Sequence, residues 1–127
     1  MSEILISARE IEKFFIKGKA RINVLYGLNL DIKKGDLAAI IGASGVGKST
    51  LLHILGTLDK PNSGKIFFED KDVTDYSENK LSSFRLKNIG FVFQFHHLLN
   101  ELTAFENAAV PLMLGGRLKK EEKELVE

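Results

Sequence analysis

The chain has no cysteine, no tryptophan and only two prolines among its 127 residues. Without cysteine it has neither a disulfide framework nor a thiolate metal site. Its net charge of +1 offers no electrostatic basis for binding nucleic acid. No apolar run approaches the length that spans a bilayer, and we expect no signal peptide, since the first residues lack a basic region followed by an apolar one. What is left is one globular domain with a modest core, expected in the cytoplasm.

Glycine is concentrated in one short stretch, residues 42–50 (GASGVGKST), which matches the pattern G-x-x-x-x-G-K-[ST]. A random match in a chain of this length is expected in roughly 0.5% of cases. An unbroken apolar run at 37–41 precedes it and is typical of a buried strand in a parallel sheet. Residues 49–55 follow and are typical of a buried helix. Strand, glycine-rich turn and helix together predict a phosphate-binding loop.

Each position of this loop has a chemical reason. Gly42, Gly45 and Gly47 permit the positive φ angles and close backbone approach that a chain needs to curl around a phosphate. The helix is expected to begin near Lys48, so that its N–H groups and positive dipole end point at the anion. Lys48 is predicted to reach the β- and γ-phosphates, and the Ser49 hydroxyl to ligate Mg²⁺. The alternative is a glycine turn that caps a helix without a ligand, but such a turn needs neither Lys48 nor three glycines.

Apolar periodicity and capping signals predict the remaining elements. Strands are expected at 3–15 (ending in an irregular segment), 22–32, 65–69 and 89–93, the last of them buried. Helices are expected over about 77–86, opened by Asp75 with Glu78, then from Thr103, opened by a capping box with Glu106, and over 117–127. Pro111 is expected to bend or shorten the second of these helices.

Several residues permit two interpretations. Phe15 is either a core aromatic or hydrophobic staple, or a ring that stacks on a purine. Gln94 is either a loop residue bonded to backbone or, because it ends a strand near the loop, a ligand of Mg²⁺ and the attacking water. His96 and His97 point opposite ways on an extended chain, which argues against a metal site. His53 is expected in the core or at its boundary.

Taken in chain order, these motifs resemble the N-terminal half of an ABC-transporter ATPase domain. The glycine loop alone occurs in many phosphate-binding proteins. Its combination with IGFVFQ at 89–94 and LTAFEN at 102–107 is specific to the ABC class. Within that class, QFHHLL at 94–99 and STLLHILGTLD at 49–59 resemble the lipoprotein-releasing type of the bacterial Lol system, whose near relatives are the macrolide-exporter and cell-division types.

The resemblance implies an α/β fold: a P-loop NTPase (RecA-like) core with an antiparallel β subdomain and the start of an α-helical subdomain, truncated. The β subdomain and P-loop core would cover about 1–94, and the Q-loop and first part of the helical subdomain about 95–127. Phe15 would stack on adenine, Ser49 and Gln94 would ligate Mg²⁺, and Lys48 and Gln94 would serve catalysis. The implied nucleotide-binding residues are Phe15, Gly42, Ala43, Ser44, Gly45, Val46, Gly47, Lys48, Ser49 and Thr50.

The implied activity is ATP hydrolysis that drives a membrane partner, with lipoprotein release as the implied transport reaction. Two copies would sandwich ATP and Mg²⁺ on the cytoplasmic face of the inner membrane, with permease subunits docking near residues 95–105. The chain shows no L-S-G-G-Q signature, no apolar strand ending in Asp-Glu and no downstream switch histidine. We therefore expect these 127 residues to bind ATP and hydrolyse little or none. With the apolar edge at 37–41 exposed, we also expect a marginal, association-prone monomer.

Two further interpretations stay open. One is another phosphate-loop class, such as a GTPase or a small kinase. A GTPase should show N-K-x-D, which the chain lacks, and a kinase should show an arginine-rich lid, whereas arginine is scarce after the loop. The other is a fragment that binds a partner without hydrolysing nucleotide.

Overall fold

The computed structural model describes residues 3–43, 47–93 and 98–114. The chain divides into two compact units, Met1–Ser82 and Ser83–Glu127. In chain order the elements are β1 (Ile4–Lys17), β2 (Ala20–Lys33), α1 (Lys48–Leu55), β3 (Ser63–Phe68), β4 (Lys71–Asp72), α2 (Glu78–Asn88) and α3 (Ala104–Leu114). No helix within the described ranges combines the length and apolarity that crossing a bilayer requires.

The first unit contains a four-stranded antiparallel sheet with the order β2-β1-β3-β4. β1 and β2 form a long hairpin in which Lys17 lies opposite Ala20 and Phe15 opposite Ile22. Gly18 turns the hairpin with a φ of 65°, a left-handed conformation that glycine adopts without strain. The strands predicted at 3–15, 22–32 and 65–69 are therefore confirmed as β1, β2 and β3. The irregular end predicted for the first is wrong, since β1 runs on to Lys17 and bulges in the hairpin absorb its loose pattern.

Gly64 allows β3 to approach an irregular stretch of β1 closely. Its φ is 95°, and a Cβ atom there would collide with the backbone carbonyl oxygens of Arg9 and Glu10. The β1–β3 register shifts between Arg9 and Glu12, so the two backbones meet where the pairing is irregular. Only a residue without a side chain permits that approach.

The core of this unit lies between the sheet and α1. Ala8 and Ile11 of β1 are completely buried, and Ile54 of α1 is 1% exposed. Ile54 also shares a small cavity of about 20 Å³ with Ile66 of β3 and Leu81 of α2, which places α1 against the sheet. α1 buries Leu51, Ile54 and Leu55 at helical spacing.

The buried strand predicted at 37–41 is wrong. These residues form no strand, and the side chains of Leu37 and Ile41 are 102% and 92% exposed. A strand of a parallel sheet forms only when neighbouring strands satisfy its backbone groups. In the described ranges, the sheet of the first unit ends at β2 on one side and β4 on the other, and 37–41 pairs with neither.

In the second unit, the strand predicted at 89–93 is wrong for the same reason. The segment forms no strand in the described part of the chain, and Val92 is 102% exposed. The rings of Phe91 and Phe93 stack on each other instead, with centroids 5.4 Å apart and planes 15° from parallel. An apolar sequence alone does not supply the hydrogen-bonding neighbour that a strand needs.

The two later helices begin at identifiable caps. Before α2, Ser77 Oγ accepts a hydrogen bond of 3.2 Å from the Lys80 N–H, so the capping residue is Ser77 and the prediction of Asp75 is wrong. Before α3, the predicted capping box is confirmed. The Glu106 N–H donates to Thr103 Oγ1 at 3.1 Å, and the Thr103 N–H donates to Glu106 Oε1 at 2.8 Å.

α3 continues through Pro111 to Leu114, so the proline lies inside the helix and does not end it. The charged helix predicted at 117–127 lies outside the described residues.

Candidate functional site

The N-terminus of α1 is a candidate binding site for an anion. α1 begins at Lys48, as predicted, and its N-cap residue is Gly47, with φ 90° and ψ 40°. Within the described residues, no side chain caps this end and no acidic residue occupies the first turn. The first N–H groups of the helix and its positive dipole end are therefore available to an anion.

Gly47 is a glycine for two independent reasons. Its φ of 90° lies in the left-handed region that residues with a side chain rarely adopt. A Cβ atom would also collide with Cγ1 of Val24 and lie 3.3 Å from the Val24 carbonyl oxygen. Gly47 therefore rests directly against β2, and this contact fixes where α1 begins relative to the hairpin.

β2 carries one extra residue at this contact. Lys13 pairs with Leu25 and the next residue, Phe14, pairs with Asn23, so Val24 is the additional residue of a bulge. The residue that follows Phe14, Phe15, pairs with Ile22 on the same strand. Ile22 and Val24 are two positions apart, roughly 7 Å along a strand. β2 thus anchors both the predicted base-stacking residue and the loop.

The side chain of Lys48 folds back over the loop. Its Nζ donates hydrogen bonds to the carbonyl oxygens of Gly42 at 2.6 Å and Ala43 at 3.4 Å. Within the described part of the chain these two neutral carbonyls are its hydrogen-bond partners. Among the described residues no carboxylate forms an ion pair with this ammonium, and an anion at the helix N-terminus would give it a stronger, charge-assisted partner.

Ser49 is exposed and lines a cavity of about 380 Å³ beside Lys48. The other lining residues come from the end of β2, the segment after it and α1: Leu30, Asp31, Ile32, Asp36, Ala38, Ala39, Ile40, Leu52 and Leu55. Most are apolar, and several of them, including Ala38, Ala39 and Leu52, are exposed to solvent.

The two carboxylates of this cavity already have local partners. The Ser7 hydroxyl and the Arg9 guanidinium, which lies 2.7 Å away, hold the pKa of Asp31 below its usual range. Asp36 Oδ2 accepts a hydrogen bond of 2.9 Å from the Lys33 N–H and closes the turn after β2. Of the two hydroxyl residues of α1, Ser49 lines this cavity, which makes its hydroxyl the candidate oxygen ligand for Mg²⁺ on the helix.

Phe15 is half-exposed near the tip of the hairpin, with 43% of its surface accessible. The Nζ atom of Lys13 lies 5.1 Å from the centroid of its ring. The exposure excludes the interpretation of Phe15 as a buried core aromatic. A half-open ring on a paired strand is a suitable platform for a planar base.

The structure describes part of the predicted site. Phe15, Gly42, Ala43, Gly47, Lys48, Ser49 and Thr50 belong to the first unit. The other predicted site residues, Ser44, Gly45, Val46 and Gln94, lie outside the described residues, as do His96 and His97. His53 is exposed, contrary to the expectation of a position in the core or at its boundary, because the buried stripe of α1 passes through Leu51, Ile54 and Leu55.

Sequence reasoning missed Val24 and Lys13. A bulge leaves no mark in the alternation of β2, so nothing in the sequence identified Val24 as the support for the loop. A lysine on a strand is usually exposed to solvent, yet the side chain of Lys13 is only 11% exposed. Its burial depends on a partner 46 positions away in the chain.

The comparison with protein families decides the identity of the fold. The family model described as ABC transporter matches residues 25–127. The chain belongs to the ABC transporter family. The predicted family and fold class are thereby confirmed, and the match includes the loop, α1 and the capping box before α3.

Members of the ABC transporter family with curated names match nearly the whole chain. The lipoprotein-releasing system ATP-binding protein LolD of Aquifex aeolicus is 52% identical over 124 residues, which is 98% of this chain and 53% of that protein. The protein of the same name from Idiomarina loihiensis is 43% identical over 127 residues, covering all of this chain and 56% of its own length. The chain thus spans about half the length of the curated relatives it matches.

Solved ABC cassettes share the fold. The cassette MJ0796, determined as a dimer in a post-hydrolysis state bound to ADP and Pi, superposes with a TM-score of 0.88 at 36% identity. That match covers 95% of this chain and 53% of the cassette. The structure of cbiO1 from Clostridium perfringens, part of the cbiONQ transporter complex, gives a TM-score of 0.74 at 28% identity and covers 98% of this chain and 47% of that one.

Proposed function

We propose that this chain is the ATP-binding part of an ABC transporter subunit, and that the whole protein couples ATP binding and hydrolysis to a membrane partner. The observation that carries the proposal is the N-terminus of α1. It has no side-chain cap in the described residues, and the Lys48 ammonium is held beside it by the neutral carbonyls of Gly42 and Ala43. A triphosphate satisfies the amides and the ammonium together.

Each residue then has a defined part. The backbone of residues 42–50 would cradle the phosphates, with Lys48 turning from the Gly42 carbonyl to the β- and γ-phosphates. The hydroxyl of Ser49 would hold Mg²⁺, together with Gln94, and the bound ion would neutralise phosphate charge. Phe15 would stack on adenine. Gln94 would also carry the signal between the γ-phosphate and the membrane subunits.

We further propose that the transport reaction is lipoprotein release. The support is the name shared by relatives 43% and 52% identical to this chain. The whole protein would act as a homodimer on the cytoplasmic face of the inner membrane, with permease subunits docking near residues 95–105. Its β subdomain and nucleotide-binding core would cover about 1–94, and the first part of the helical subdomain about 95–127.

Titration of Mg-ATP into Lys48→Ala tests the nucleotide site, using the protein at its full encoded length. We expect the loss of most ATP affinity, because the desolvated phosphates lose their fixed cation. Lys34→Ala, which removes an exposed lysine that does not line the site, is the matched control and should bind ATP normally. Normal ATP affinity in Lys48→Ala would refute the assigned role, and strong preference for GTP over ATP would refute the ABC nucleotide specificity.

Depletion of the protein in its host tests the transported substrate. Lipoprotein release predicts that outer-membrane lipoproteins accumulate in the inner membrane, and that wild-type protein but not Lys48→Ala restores their release. Normal lipoprotein sorting together with sensitivity to exported drugs, or with a division defect, would reject lipoprotein release in favour of the exporter or cell-division type. Neither result would alter the test of ATP binding.

A further inference from the structure

Lys13 is a nearly buried cation beside the proposed base platform. Its side chain is 11% exposed, and its Nζ lies 3.2 Å from both carboxylate oxygens of Asp59. The same atom donates a 2.8 Å hydrogen bond to the carbonyl oxygen of Lys60 and lies 5.1 Å from the ring centroid of Phe15. A cation within about 6 Å of a ring is attracted to its face, so Lys13 restrains Phe15 on one side.

Asp59 connects this cation to α1. Its N–H, like that of Leu58, donates to the carbonyl oxygen of His53, at 3.2 Å and 2.8 Å respectively. These bonds hold the turn that contains Leu58 and Asp59 against the last helical turn of α1. The N–H of Lys60 in turn orients the Asp59 carboxylate through a 2.8 Å bond. Lys13 therefore joins the ring on β1 to the C-terminal end of the helix whose first residue is Lys48.

This cation is not needed to attach β1 to the turn. The Phe14 N–H donates to Asn62 Oδ1 at 2.8 Å, and the Asn62 N–H donates to the Glu12 carbonyl oxygen at 2.8 Å. The Ser63 hydroxyl adds a 2.8 Å bond to Glu12 Oε2. Strand and turn thus remain connected on both sides of Lys13 when its charge is removed.

The other cation–ring contacts of this unit lack such a connection. Arg21 lies 3.7 Å from the ring of Phe14, and its Nε donates to Asn23 within the same strand. Lys80 lies 4.0 Å from the ring of Tyr76, which precedes it by four positions in the chain. Only the Lys13 contact, among these three, joins a strand of the sheet to the turn that follows the loop helix.

We propose that Lys13 is a positioning residue for the purine base. It holds one face of the half-exposed Phe15 ring and sets the position of that ring relative to the phosphate loop through Asp59 and α1. The inference rests on the proposed ATP binding. It assigns to Lys13 an effect on the base alone, because the phosphates interact with the opposite end of α1.

Calorimetric titration of the full-length protein with Mg-ATP and with Mg-tripolyphosphate tests this role. Lys13→Met should weaken ATP about two- to fivefold, the scale of one cation–ring contact, and leave tripolyphosphate affinity unchanged. Lys13→Arg should retain most of the ATP affinity. The double variant of Lys13→Met with Phe15→Ala should bind ATP no more weakly than Phe15→Ala alone. Lys60→Met, which removes the neighbouring exposed ammonium 3.6 Å from Glu78, is the matched control.

The outcomes separate the inference from the proposed function. Equal weakening of both ligands in Lys13→Met, with a lower melting temperature, would show a structural role and overturn the inference. Wild-type ATP affinity in Lys13→Met, with weakened ATP in Phe15→Ala, would also overturn it while leaving ATP binding intact. The ATP affinity of Lys48→Ala, measured in the same series, tests the proposed function independently of Lys13, and its loss would support that function.

Discussion

β1 mixes apolar with charged residues and forms a paired strand, whereas the segment at 37–41 is entirely apolar and forms none. Ile11 of β1 is completely buried, whereas Leu37 is fully exposed. β1 finds β2 across a two-residue turn and pairs with it from Ile4 to Lys17. A strand of a parallel sheet must instead find its neighbour through a long crossover. The comparison teaches that strand formation here follows the availability of a partner and not hydrophobicity.

The largest expected effect comes from truncating the side chain of Ile11, and truncation of Leu37 is the comparison. In the 127-residue chain, Ile11→Ala should lower the free energy of unfolding by about 2–5 kcal/mol, because it leaves a cavity in the core. Leu37→Ala should change it by less than about 0.5 kcal/mol. Urea unfolding followed by circular dichroism measures both values.

The same pair of variants at full encoded length sharpens the comparison. There we expect Leu37→Ala to cost about as much as Ile11→Ala, since the segment would pair with strands from the rest of the protein. A cost for Leu37→Ala that is equally small in both chain lengths would mean that the segment is not a core strand at all.

The next effect concerns the backbone contact that joins β3 to β1. Gly64→Ala should destabilise the chain by about 3 kcal/mol, because a left-handed φ is strained for alanine and the carbonyl oxygens of Arg9 and Glu10 leave no room for Cβ. Gly18→Ala has a similar positive φ but open space around the added atom. It should cost only about 1 kcal/mol. Equal losses in the two variants, measured by thermal melting, would rule out the steric part of this explanation.

A smaller effect is expected in the second unit, where α3 is stabilised locally. Thr103→Ala removes one half of the capping box and should cost α3 about 1 kcal/mol. Glu106→Gln keeps a side chain that can accept from the Thr103 N–H, and should cost less. Amide hydrogen exchange of residues 104–114 measures the change. Faster exchange throughout β1 and β2 in Thr103→Ala would contradict a local role.

The smallest effect is a dependence on pH. Hydrogen bonds from Thr74 and the nearby Lys65 ammonium hold the pKa of Asp72 below its usual range. Because the folded pKa is lowered, this stabilisation is present above about pH 4 and is lost as the pH falls through the folded pKa. Asp72→Asn should therefore flatten the decline of melting temperature in acid. An unchanged acid slope in Asp72→Asn would show that other carboxylates produce it.

Local signals predicted local structure well. The start of α1 at Lys48 and the capping box of Thr103 with Glu106 were read correctly, because each depends on residues within one helical turn. The strands β1 and β2 were also predicted, since the alternation of apolar residues is a short-range signal. The strands at 37–41 and 89–93 were not, because no local signal reports whether a distant partner is present.

By itself, then, the amino-acid sequence determined the phosphate-loop motif, the helix that follows it, the strands β1, β2 and β3, and the family to which the chain belongs. These features depend on short-range spacing and on residue chemistry. Tertiary structure alone decided that Val24 supports Gly47 and that Lys13 meets Asp59 beside the ring of Phe15. The reason is physical: bulges, close backbone approaches and buried ion pairs depend on which distant segments meet, and the folded chain alone brings them together.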